Sequence, residues 1–183
     1  VDECEGDDAS GDTDNDGRSE VAVGRVPAHT AAEADAFVQR VVTYERGDLD
    51  SFTRDALLVS GTNRGEDFTR YVDTLASQLD QRVNAERIDR AGLTLADART
   101  QLLSAINEGT FWFHYQGHGA AAQLDDDGLL TMTDVAGLSN DALTIFTGMS
   151  CSTSRFEVPG MDSISELMLT GSPGGAIALY GPS

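Results

Sequence analysis

Thr110-Phe111-Trp112-Phe113-His114-Tyr115-Gln116-Gly117-His118-Gly119 is the stretch on which the fold turns. Its first half is aromatic and uncharged, the pattern of a strand buried on both faces of a sheet. It stops at a glycine-histidine-glycine corner. A second run, Leu143-Thr144-Ile145-Phe146-Thr147, is apolar and β-branched and leads into Ser150-Cys151-Ser152. In an open parallel sheet, ligands bind beyond the carboxyl ends of the strands. The two corners therefore place an imidazole and a thiol where a proton acceptor and a nucleophile are useful. Taken singly, a buried Cys is most often a small core residue, and a His a satisfied polar group. The pairing at two strand ends is what points to chemistry. A tetrahedral intermediate also needs donors aimed at its oxyanion. The backbone N–H groups of Gly119 and Cys151 are candidates, because each follows a strand end at a tight turn.

Outward from these strands, the spacing predicts alternating elements. Thr30-Ala31-Ala32-Glu33 is a capping box, opening a helix to Arg46 with Ala34, Phe37, Val38, Val41 and Val42 on one face. Asp55–Ser60 reads as a strand. Glu66–Leu79 reads as a helix through Phe68, Val72, Leu75 and Leu79, and Val83–Ile88 as a short edge strand. A helix from Thr94 stops at Gly109. Thr131–Leu138 is a short helix or turn. A second capping box, Ser163-Ile164-Ser165-Glu166, opens a helix to Thr170, and Gly174–Tyr180 is the last strand. Glu20–Val26 is expected to be the first strand, after an acidic loop over residues 1–19. Strands and helices in alternation mean βαβ crossovers. The expected fold is α/β: a three-layer α-β-α sandwich with a mainly parallel sheet, in one domain over residues 1–183. The chain opens in an acidic loop and stops after an apolar strand, so it reads as a piece of a longer protein whose flanking domains are missing.

The chain has 183 residues, with 31 acidic against 12 basic and a formal net charge of −19. Every basic residue is Arg. Such a surface speaks against nucleic acid as a partner, since neutralising phosphates needs a basic face. No apolar run approaches the ~18–20 residues of a membrane span. Cys4 and Cys151 are no disulfide framework, and three His without an HExxH or CxxC pattern argue against zinc. Asp12-Thr13-Asp14-Asn15-Asp16-Gly17-Arg18-Ser19-Glu20 has the D-x-D-x-D-G pattern that suits a structural Ca²⁺. Its ligands would be Asp12, Asp14, Asp16, the carbonyl of Arg18, and Glu20 in place of the absent twelfth-position Glu. The alternative is a solvated acidic loop. Asp125-Asp126-Asp127-Gly128 either lines the cleft or, as the favoured reading, is a turn with its charges in water. His114, within its strand, reads as structural, and His29 as a loop residue.

Several segments together resemble the gingipain-like cysteine peptidases of the caspase-like superfamily. Val21-Ala22-Val23-Gly24-Arg25-Val26-Pro27 is similar to that family's "iGRlp" strand, and Thr43-Tyr44-Glu45-Arg46 to its "YER" helix end. Tyr115-Gln116-Gly117-His118-Gly119 is similar to the "Y-x-GHG" motif. Ser150-Cys151, leading to Ser165-Glu166-Leu167-Met168, is similar to the nucleophile segment and the helix after it. Gly175-Ala176-Ile177-Ala178 is similar to the closing "GavA" strand. The resemblance spans about residues 20 to 180.

It implies a caspase-like catalytic domain with His118 and Cys151 as the dyad of a cysteine endopeptidase acting on a protein or peptide substrate. It also implies a secreted or cell-surface bacterial or archaeal protein. By the same resemblance Asp67, with Glu66 beside it, is the candidate carboxylate of a P1 pocket for a basic side chain. The chain departs from the family after the strand Asp55–Ser60, where an acidic residue would assist the histidine. Gly61-Thr62-Asn63-Arg64-Gly65 contains none. The orienting group is then a backbone carbonyl, Asn63, or a residue outside this chain. Two other readings stay open: a caspase-like regulatory protease domain of another family, and an inactive secretion or binding module on the same fold.

Overall fold

The structure, a computed structural model, describes residues 11–21, 23–47, 54–156, 158, 160–171 and 173–182. Cys4 lies outside them, as do the first ten residues of the expected acidic loop.

Thr30 caps helix α1 (Ala31–Arg46), with both bonds of the capping box formed. There follow β1 (Asp55–Ser60), α2 (Phe68–Gln78), β2 (Asn84–Asp89), α3 (Leu95–Glu108) and β3 (Trp112–Gln116). Beyond these lie β4 (Gly119–Ala120), β5 (Gln123–Leu124), β6 (Leu130–Thr131), α4 (Met132–Ala136), β7 (Thr144–Met149), α5 (Ile164–Thr170) and β8 (Ala176–Tyr180). The main sheet runs β2-β1-β3-β7-β8, and every neighbouring pair is parallel. The α/β class and the parallel sheet match the expectation. The small antiparallel sheet β4-β5-β6 was not legible, because its strands are two residues long, too short to carry a period.

Alternation along the strands divides the core. Leu57, Val59, Ile88, Phe113, Tyr115 and Phe146 point to one face and pack with residues of α3 and α5, including Leu102, Ile106, Ile164 and Met168. Ala56 and Leu58 point to the other and pack with Val72, Leu75 and Trp112. Among the described residues α2 is the helix on this second face, so the three layers are complete over β1 and β3. Farther along the sheet Met149 and Tyr180 are exposed.

Among the described residues the expected first strand is not formed. The described residues of Glu20–Val26 contain no strand, and Val21, Val23 and Val26 are exposed. Their β-branched side chains suit a strand, but a strand exists only when a neighbour takes its N–H and C=O groups. The segment instead runs beside the carboxyl end of β8, with the Arg25 guanidinium 4.6 Å from the Phe156 ring centre.

His114 is structural, as expected. It is buried, with Nδ1 2.8 Å from Thr147 Oγ1, and that hydroxyl accepts the Trp112 Nε1–H at 2.9 Å. An indole only donates, so the threonine proton is available to the imidazole. Burial lowers the His114 pKa from 6.5 to about 4. The unfolded chain therefore takes up this proton near pH 6.5 and the native one only near pH 4. The neutral ring's contribution is complete above 6.5 and is lost as pH falls through that window. Denaturant unfolding at pH 7 and pH 5 should show wild type losing about 2 kcal/mol more than His114→Gln. Equal losses would contradict the buried neutral ring.

Candidate active site

Parallel register makes three strands end level. Ser60 of β1 faces Gln116 of β3, and Gln116 faces Met149 of β7. The ladder continues one residue further, with Gly61 N–H donating to Gln116 O (2.9 Å) and Gly117 N–H to Met149 O (3.1 Å). His118 and Cys151 are each the second residue beyond the Gln116–Met149 pair. The sheet therefore delivers both to one rim.

The histidine corner is held from below. Tyr115 is fully buried, and its hydroxyl donates to His118 O at 2.6 Å. Burial pushes the phenol pKa well up, so the group stays a donor. Glycines make room for it. A Cβ at Gly61 or Gly117 would lie 2.7 or 2.3 Å from the Tyr115 oxygen. Above, the His118 ring lies edge-on to Phe68, with centroids 5.0 Å apart at 89°. His118 Nε2 is 3.1 Å from the carbonyl oxygen of Arg64. A carbonyl only accepts, so Nε2 carries the proton and Nδ1 presents a lone pair. Of the two orienting groups within this chain that the sequence left open, a backbone carbonyl is the one beside the ring. Asn63 acts on the loop instead: its Oδ1 accepts Phe68 N–H at 2.9 Å, and its Nδ2 donates to Thr69 Oγ1 at 3.3 Å.

The cysteine corner is a tight turn. Cys151 is exposed with a free thiol, and Ser152 after it has φ 54°. That conformation is uncommon for a residue with a side chain and concentrates at functional turns. No hydrogen bond joins Cys151 to the His118 ring, and catalytic contacts are commonly loose before substrate binds. The two corners meet through Gly119, where a Cβ would lie 2.8 Å from Thr153 Cγ2 and 3.0 Å from Ser150 Cβ. The start of α5 ties them together. Ile164 N–H donates to Ala121 O at 2.6 Å, and Ser165 N–H to Thr153 O at 3.2 Å.

Asp67 caps α2, accepting Arg70 N–H at 3.0 Å, and adjoins the Phe68 that touches His118. Glu66 accepts the Tyr71 hydroxyl. The triplet Asp125–Asp127 is a turn, but its charges are not simply in water. Asp125 is buried and accepts both the N–H and the hydroxyl of Thr62. Asp126 lies 3.7 Å from Arg64, and Asp127 lies 2.5 Å from Arg90. These partners come from distant segments, so local sequence gave no sign of them.

In the acidic loop, oxygens of Asp12, Asp14, Asp16 and Glu20 all lie within 4.8 Å of one another. Asp12 accepts the N–H groups of Asp16 and Gly17, and Arg18 N–H donates to Asp16 Oδ1. Thr13 donates to Glu20 from both N–H and hydroxyl, which lowers the Glu20 pKa. An all-oxygen set of this kind fits a hard cation such as Ca²⁺. His29, Asp162 and Glu166 also lie together. Local structure accounts for them: His29 Nε2 is 3.1 Å from Asp162, and Glu166 closes the capping box of α5.

The family model for peptidase family C25 matches residues 4–183. No curated protein matches the chain in sequence. Among solved structures, the Arg-specific cysteine proteinase gingipain R matches with a TM-score of 0.76 at 22% identity, covering 94% of this chain and 42% of that one. The complex of Porphyromonas gingivalis RgpB pro- and mature domains gives 0.75 at 21%, covering 94% and 43%. A third structure, described only as a protease, gives 0.69 at 20%, covering 84% and 34%. Likeness at these identities shows a shared fold, and the chain spans less than half the length of each of these proteins.

Close packing of Gly119 on the cysteine turn has a measurable consequence. Gly119→Ala should destabilise the protein by about 1–3 kcal/mol, the usual cost of overpacking. Thr153→Ser, which deletes the opposing methyl, should recover part of that loss in the double variant. Strict additivity of the two changes in thermal unfolding would contradict the contact.

Proposed function

The chain belongs to peptidase family C25, and from that premise we propose that it is a cysteine endopeptidase with Cys151 as nucleophile and His118 as its acid–base partner. The observation that carries this reading is the strand register: both residues stand two positions past the paired ends of adjacent parallel strands. The whole protein's substrates are part of the proposal.

The chemistry follows from the groups present. Nδ1 of His118 takes the thiol proton, because Nε2 is committed to the Arg64 carbonyl. The thiolate adds to the scissile carbonyl carbon, and the oxyanion is received by the N–H groups of Gly119 and Cys151. Asp125 N–H donates to His118 O, and Gly119 faces Leu124 across the small sheet. Antiparallel pairs alternate between bonded and unbonded, so the Gly119 N–H is directed away from β5. Collapse of the intermediate breaks the C–N bond, and the proton on Nδ1 passes to the departing amine. Water then hydrolyses the thioester, with His118 again taking the proton.

For P1 we propose a basic side chain held by Asp67. Asp67 is the candidate because it stands at the rim, next to the Phe68 that touches His118. A structural Ca²⁺ held by Asp12, Asp14, Asp16, the Arg18 carbonyl and Glu20 would brace the segment before α1. An extracellular or cell-surface setting fits both that ion and the family. Among the described residues, no helix is long and apolar enough to cross a membrane.

Three outcomes are expected. Cys151→Ala should abolish peptide hydrolysis, and His118→Ala should lower it by about 10²–10⁴-fold, with melting temperatures near wild type; unchanged turnover in either variant contradicts the dyad. Asp67→Asn should erase the preference for Arg over a neutral P1 residue at every ionic strength, and a library profile led by acidic or apolar P1 residues would refute basic specificity. Chelation should lower the melting temperature of wild type but not of Asp14→Ala/Asp16→Ala, and an equal shift in both would remove the calcium assignment.

A further inference from the structure

We propose that Asp125 is the positioning residue of His118, fixing the ring through the loop that carries its hydrogen-bond partner; this rests on His118 being the base. Asp125 is 1% exposed. It sits at φ 61°, a conformation that is strained for a residue with a side chain. Among the described residues no cation pairs with it. Three donors compensate its carboxylate instead. Oδ2 accepts Thr62 N–H at 2.8 Å and Thr62 Oγ1–H at 2.7 Å, and Oδ1 accepts Asp126 N–H at 3.0 Å.

The same residue also grips the histidine directly. Asp125 N–H donates to His118 O at 2.8 Å, onto the oxygen that already accepts the Tyr115 hydroxyl. Arg64, whose carbonyl receives the ring, is two residues past Thr62. The bonds therefore close a ring. Asp125 main chain holds His118 main chain, His118 Nε2 holds Arg64, the Thr62–Arg64 loop runs back, and Thr62 is held by the Asp125 carboxylate. One residue fixes both the backbone and the imidazole partner of the histidine. A corner that needed only positive φ would be met at lower cost by Gly or Asn. Burying an unpaired charge there costs more, and clamping the Arg64 loop is what that charge accomplishes. The carboxylate touches no reacting atom, so its effect is on which nitrogen of His118 carries the proton and on where the ring points.

The test compares Asp125→Asn, Thr62→Val and Thr62→Ser in the same protein. Asn is nearly isosteric and tolerates positive φ, so the turn persists while the charge and one acceptor function are lost. Asp125→Asn should lower kcat by about 10–100-fold with KM little changed, as misplacement of a catalytic group does. Thr62→Val should fall in the same direction, and Thr62→Ser, which restores the hydroxyl, should be near wild type. Nitrogen-15 spectra of the His118 ring should show one Nε2–H tautomer in wild type and a tautomer mixture in Asp125→Asn. A single Nε2–H tautomer with wild-type kcat in Asp125→Asn overturns the proposal. So does a loss of activity matched only by a lower melting temperature, with the tautomer unchanged. If wild type itself hydrolyses no peptide, the peptidase reading fails, and the ring spectra alone still decide whether Asp125 sets the tautomer.

Discussion

The parallel register of β1, β3 and β7 is the constraint on which the rest depends. Because Ser60, Gln116 and Met149 are in line, the loops that leave them start at one height. A one-residue slip would also turn Tyr115 and Phe113 out of the core. Packing on the α3–α5 side thus sets the register, and the register sets where His118 and Cys151 stand. The aromatic residues that read as core are in this sense the residues that place these two side chains.

The rim itself is built from groups that carry a conformational or desolvation cost. Ser152 and Asp125 hold positive φ, Asp125 is a buried carboxylate, and Tyr115 is a buried phenol. Each cost is offset locally. Asp125 has three donors, Tyr115 has the His118 carbonyl, and the cysteine turn is bonded to the start of α5. Gly61, Gly117 and Gly119 are what allow these groups to approach so closely. Surface charge plays a smaller part. Pairs such as Arg82–Asp80 are exposed and contribute little, whereas Arg99–Asp134, partly buried, fastens α3 to the start of α4; against the effect of burial, the Thr131 hydroxyl and N–H, and after them Arg99, lower the Asp134 pKa.

Much of this was legible because it is local. Capping boxes at Thr30 and Ser163 fixed two helix starts, Gly109 at φ 98° stopped a third helix, and one aromatic and one β-branched uncharged run marked β3 and β7. His118 and Cys151 were visible as strand-end residues. The failures are non-local. Val21, Val23 and Val26 are residues that suit a strand but join no sheet, and β4–β6 are too short to show a period. Asp125 looked like a solvated turn residue because its partner Thr62 is 63 positions away. Arg64 could not be singled out at all, since it contributes a carbonyl that every residue possesses.

The central claim is that the sheet makes a single reacting pair of His118 and Cys151. Mass spectrometry after exposure to a peptidyl acyloxymethyl ketone ending in Arg tests it most directly, since this reagent needs an activated thiolate and an occupied P1 site. The account predicts one covalent adduct, on Cys151, forming rapidly in wild type and slowly in His118→Ala. Equal rates in the two proteins, or no adduct on Cys151, would contradict it.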